Sequence, residues 1–165
     1  MKLFKNQKGF TTFSSHERGF TLIELLVVIG ILAVLLAITL IAINPARQFS
    51  QANNTKRSSD VNAILNAINQ YMADNKGALP SGINTTAQTI AATAFNTMCT
   101  QLVPQYIAAL PVDPLTNSGT PIASATCTGT TWNTTYTVQQ LTGGSNRLTI
   151  AAPSAELTAT IEVTR

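Results

Sequence analysis

A chain of 165 residues has room for one modest domain and an appendage, and with only 10% of residues charged its exterior must be largely Thr, Asn, Ala and Ser. The net charge of +3 does not describe a nucleic-acid surface: residues 1–19 hold Lys2, Lys5, Lys8 and Arg18 against Glu17, while residues 20–165 hold six basic and six acidic residues, so the excess sits in a terminal tail. The only histidine, His16, lies in that tail, and scattered acids without a phosphate-cradling glycine loop supply no catalytic constellation, which argues against an enzyme and against a cofactor.

The first element is an apolar run. Leu25 to Ile43 contains no charge and is interrupted only by Gly30 and Thr39. At 1.5 Å per residue, 19 residues span about 28 Å, close to the thickness of a bilayer core. A buried helix of a soluble domain would show a polar stripe, and this run shows none. A cleaved secretory signal fits poorly, because the far side reads Ala42-Ile43-Asn44 and lacks a small-residue cleavage pattern. A transmembrane anchor is therefore predicted, and the basic count before the span favours an amino end inside. A plain anchor leaves one residue unexplained. Glu24 stands just inside the leading edge, where an acid is unfavourable unless matched or raised to the headgroups.

The edge itself reads Arg18-Gly19-Phe20-Thr21-Leu22-Ile23-Glu24-Leu25. These eight residues closely resemble the prepilin cleavage and methylation motif of type IV pilins and type II secretion pseudopilins. The resemblance implies a cut between Gly19 and Phe20 by a membrane peptidase that also N-methylates Phe20. It further implies that Glu24 guides assembly by pairing with the terminal amine of a neighbouring subunit. A partial copy, Lys8-Gly9-Phe10-Thr11-Thr12, has neither the Leu-Ile-Glu nor an apolar run behind it, so the cut is placed at Gly19. The implied partners are the peptidase and methyltransferase, identical or related subunits, an inner-membrane assembly platform and the lipid bilayer.

Asn44-Pro45 breaks the apolar run, and a proline inside a continuous helix kinks its axis. Many bacterial pilins carry this proline four residues earlier. From Ala46 the chain turns amphipathic, with Phe49, Ala52, Val61, Ile64, Leu65, Ile68, Tyr71 and Met72 mainly at helical steps. Asn53, Asn54, Lys56, Arg57, Asp60 and other polar residues lie between them. Gly77 and Pro80 are stop signals. Residues 20–76 are thus expected to form one kinked helix, with the aromatic and Met positions packed on a head.

In the head, residues 87–102 place Ile90, Ala94, Phe95, Met98 and Leu102 at helical spacing, which predicts a second helix. A proline-rich passage follows. Thr135–Leu141 and Arg147–Ala151, joined through Gly143-Gly144-Ser145-Asn146, read as a hairpin. Alternation over Leu157–Val163 predicts a final strand, and a weaker strand is placed within Pro121–Thr128. The expected fold is α+β: a leader over 1–19, a transmembrane helix over 20–43, an amphipathic stem over 44–76, and a head over 77–165 with a small antiparallel sheet.

If the head lies outside the cytoplasm, Cys99 and Cys127 read as a disulfide worth roughly 3–4 kcal/mol on the chain-entropy model; two buried thiols are the alternative. The passage Leu110-Pro111-Val112-Asp113-Pro114 resembles one in major pseudopilins, some of which bind calcium in the following loop. Here Asp113 is the only charged candidate, too few carboxylates for calcium, so a turn-capping role is the stronger expectation. The disulfide of type IV pilins usually closes a C-terminal loop, whereas this pair would tie the second helix to the early sheet. Sequons at Asn53, Asn84 and Asn133 indicate exposure alone. The resemblance implies a filament subunit in the cytoplasmic membrane with its head outside, then in a cell-surface or periplasmic filament. The alternative is an anchored pilin-like binding module that does not polymerise.

Overall fold

The computed structural model describes residues 19–143 and 146–165, which form two units divided after Ile43. The described part of the first unit holds one helix, α1 (Leu22–Ile43), in which no residue is buried. Its length and composition suffice to cross a membrane.

The expected single kinked helix is instead two helices. Asn44 adopts a left-handed conformation (φ 48°, ψ 81°), its side-chain oxygen accepts from the Arg47 amide at 3.4 Å, and Pro45 opens α2 (Pro45–Asp74). Asparagine tolerates this backbone and caps well, and proline at the first helical position loses no hydrogen bond. The pair therefore ends one helix and starts another. At the other end, the Gly77 amide (φ 85°) reaches the Met72 carbonyl at 2.8 Å, which closes α2 where the stop signals predict.

The second unit, Asn44–Arg165, packs α2 against a four-stranded antiparallel sheet in the order β1 (Gln88–Ala91), β2 (Asn133–Gln140), β3 (Leu148–Ala151), β4 (Glu162–Thr164), with α3 (Asn96–Leu102) beside it. Val61, Ile64, Leu65 and Ile68 of α2 meet Ile90, Phe95, Met98, Leu102, Tyr136, Leu148 and Ile150 in one fully buried core. Tyr71 and Met72 pack at its margin, and the Tyr71 and Tyr106 rings meet edge to face. Phe49 and Ala52, expected in the packed stripe, are exposed.

The hairpin forms as expected, with Thr137 opposite Ala151 and Gln140 opposite Leu148. Of its turn, Gly144 and Ser145 lie outside the described residues, as do Arg18 and the partial motif at Lys8–Thr12. Three expectations need correction. Residues 88–91 form a strand, because they complete the free edge of β2 and bury Ile90; the helix begins only at Asn96. Pro121–Thr128 gives one bridge, Leu110 to Ile122, and then a short 3-10 turn over Ser124–Thr126. Pro111 and Pro121, which follow and precede the paired residues on the two segments, lack the amide donors that would extend the ladder. The final strand starts late, because Leu157 and Thr158 are both left-handed (φ 57° and 56°) and turn the chain before pairing resumes. Cys99 of α3 is disulfide-bonded to Cys127, with Cα atoms 5.4 Å apart, so the bridge ties α3 to the loop leading into β2.

Candidate processing site and the charge cluster of the head

Gly19, Phe20, Thr21 and Glu24 line one open recess at the start of α1. A side chain built on Gly19 would meet nothing within 4 Å, and its backbone is outside the left-handed region. Among the described residues, nothing in the fold requires glycine there. Phe20 is 82% exposed. Thr21 and Glu24 form a capping box: the Glu24 amide donates to Thr21 Oγ1 at 3.2 Å, while Glu24 Oε2 accepts from the Thr21 amide at 3.2 Å and from its hydroxyl at 3.0 Å. Two otherwise orphaned amides are satisfied, and the carboxylate sits at the positive end of the helix dipole. The unfavourable acid thus has an intramolecular role, and the Thr-x-x-Glu spacing carries its signal in the sequence.

A second site was not visible as one. Arg57 is fully buried and meets Asp113 through two bonds, Nε to Oδ2 at 2.6 Å and Nη2 to Oδ1 at 3.2 Å. Its Nη1 donates to Glu156 Oε2 at 2.8 Å and to Asn54 Oδ1 at 3.0 Å. Glu156 also accepts from Ser50 Oγ and Asn53 Nδ2, each at 2.9 Å, and Asn54 bonds both the amide and carbonyl of Glu156. Beside this set, Asp60 accepts from Tyr136 Oη at 2.8 Å and pairs with Lys56. The hydrogen bond to Asp113 raises the Arg57 pKa against the opposing effect of burial. Arg57, with Asn53 and Ser50, holds the Glu156 carboxyl below the usual range. Burial, reinforced by Asp60, pushes the Tyr136 phenol up.

Asp113, the candidate calcium ligand, is buried with both oxygens directed at the Arg57 guanidinium, and its Oδ1 also accepts from the Leu115 amide at 2.9 Å. A cation there would have to displace a guanidinium. The acids that look scattered in sequence converge: Asp113 and Glu156 meet on Arg57, with Asp60 one turn along α2. Ser50, Asn53, Asn54, Arg57 and Asp60 stand at helical steps, which was the available signal; a search for apolar stripes passes over a polar one.

An exposed apolar N-terminal helix followed by a helix laid on a small antiparallel sheet is the pilin-like class of α+β fold. The family described as the prokaryotic N-terminal methylation motif matches residues 14–40, and this supports a precursor of the type IV pilin and pseudopilin type. Proteins carrying that motif are structural, and the apolar helix fits membrane anchoring. No curated protein and no solved structure gave a match.

Proposed function

We propose that the chain is a structural subunit of a type IV pilus or a type II secretion-like pseudopilus. On this reading a prepilin peptidase removes residues 1–19, Phe20 is N-methylated, and residues 20–43 hold the subunit in the cytoplasmic membrane with its head outside. Glu24 then pairs with the Phe20 amine of a neighbour as subunits pass from an assembly platform into the filament. The observation that carries the reading is the join between the methylation motif and a 22-residue helix with no buried residue. Such a surface needs lipid or other helices around it. An unconstrained Gly19 also suits a glycine demanded by an external enzyme, and a disulfide-bonded head suits an oxidising compartment.

Chemistry permits the exchange at Glu24. In the single chain its carboxylate takes two neutral donors from Thr21; a neighbour's ammonium would replace them with a stronger charge-assisted bond. The same capping box supports the second reading, an anchored module that never polymerises, since a self-satisfied acid needs no partner. Mass spectrometry of the mature terminus tests processing, and a chain retaining residues 1–19 would sink the assignment to the prepilin family. Glu24→Ala separates the two readings: a filament subunit is cut normally but fails to assemble, whereas a tethered module keeps its function.

A further inference from the structure

The large apolar side chains that the head unit exposes, among its described residues, each stand beside a residue bonded into the Arg57 cluster. They are Phe49 (71% exposed), Leu115 (67%) and Leu157 (48%). Phe49 is one residue before Ser50 and one helical turn before Asn53, and both of those side chains bond Glu156. Leu157 directly follows Glu156 and is fixed in a left-handed conformation. The Leu115 amide donates to the Asp113 carboxylate that Arg57 holds. Three separate segments are therefore fastened by one charge cluster, each presenting an uncovered apolar side chain. The nearby carboxylates are already engaged: Asp113 and Glu156 with Arg57, Asp60 with Lys56 and Tyr136. Arg47, two residues from Phe49, is exposed.

Chain reach decides what can cover this patch. Phe49 is six residues beyond Ile43, the last residue of the membrane-length helix, so it lies within about 22 Å of that helix end at any angle between the units. An aromatic ring, flanking aliphatic side chains and an arginine are the groups that anchor proteins at the headgroup layer. The ring takes the apolar boundary, and the guanidinium reaches lipid phosphates.

We propose that the Phe49, Leu157 and Leu115 end of the head is a bilayer-docking surface, seated on the outer headgroup layer of the membrane that holds α1. Phe49 and Leu157 enter the acyl boundary, Arg47 meets anionic phosphates, and Leu115 stands at the rim. The proposal rests on the anchored reading given above. In that seat the head of an unassembled subunit is held against the membrane by side chains of its own, in addition to its tether.

The test uses the full chain in phosphatidylethanolamine and phosphatidylglycerol vesicles, with and without acyl chains brominated near the headgroup. Phe49→Trp and Leu157→Trp report on the patch, Leu36→Trp reports on the span, and the emission of buried Trp132 is subtracted. Blue-shifted, bromine-quenched emission at all three positions is the expected result. Quenching at position 36 with none at 49 and 157 overturns the docking surface while anchoring stands. No quenching at position 36 overturns anchoring, and docking with it. If emission at 49 shifts only as protein density rises, without quenching, a second copy covers the patch and the proposal fails.

Discussion

The two long helices invert the usual relation between sequence pattern and burial. α1 is almost wholly apolar and, among the described residues, has none buried; α2 as far as Asp60 is largely polar and buries Arg57 and Asp60. Apolarity marks the side chains that α1 offers to another medium, whereas in α2 what is buried is set by whether partners exist. Arg57 is tolerated inside because Asp113 and Glu156, 56 and 99 residues away, supply oxygens in fork geometry. The difference is sharpest in what each helix should feel when cut. α2 packs into the core of its own unit, whereas α1 has no buried residue.

The largest expected effect follows from Arg57→Ala. It leaves Asp113 buried without a counter-ion and frees Glu156, and removing one partner of a buried pair costs about 3–5 kcal/mol. Denaturant unfolding of the detergent-solubilised chain, followed by Trp132 emission, should show a loss of unfolding free energy of that size, read as a lower midpoint. An unshifted midpoint would mean that the cluster is ornamental and that the core alone holds α2 to the sheet.

Next comes a matched pair. Ile64→Ala empties a fully buried site in the core and should cost about 2–5 kcal/mol in the same unfolding measurement. Leu36→Ala, at an exposed site of α1, should leave that transition where it was. Equal effects from the two substitutions would overturn the contrast between the helices.

A smaller effect concerns pH. The Glu156 carboxyl is held below its ordinary value near 4.5, chiefly by Arg57. A depressed carboxylate adds stability that is fully present above the unfolded-state pKa and is lost as pH falls through the lower folded-state value. Head stability should therefore decline below about pH 4.5, and Glu156→Gln should flatten that part of the profile. A variant with the wild-type acid slope would place the sensitivity elsewhere.

Legibility in the sequence tracked how local each determinant is. The membrane-length helix, the motif, the hairpin and the end of α2 are written in contiguous residues, so each is legible without the fold. Ile90, Ala94, Phe95 and Met98 fit a helical period, yet the open edge of β2 claims residues 88–91; nothing local announces that edge. The final strand is cut short because Glu156 is drawn to Arg57 and the next two residues turn left-handed. The cluster itself is illegible in the sequence for the same reason. Its members lie on α2 and on two distant loops, and each resembles an ordinary surface residue until the chain folds.

The smallest effect bears on the most specific residue. Thr21→Ala removes one half of the capping box, a loss of about 0.5–2 kcal/mol in the stability of the first turn. Faster amide exchange at residues 22–24 should report it, while unfolding of the head stays unchanged. Its worth lies in the comparison with Glu24→Ala, because each substitution removes one half of the box: Thr21→Ala loses the two bonds made by the hydroxyl, Glu24→Ala the two made by the carboxylate. If the acid serves only its own helix end, the two variants should be alike in filament formation, since each weakens that end by half of the box. If it serves a neighbour's Phe20 amine, Thr21→Ala frees the carboxylate for that partner and filaments still form, whereas Glu24→Ala leaves none. Equal loss of filaments in both would reduce Glu24 to a helix cap and remove the basis for its role between subunits.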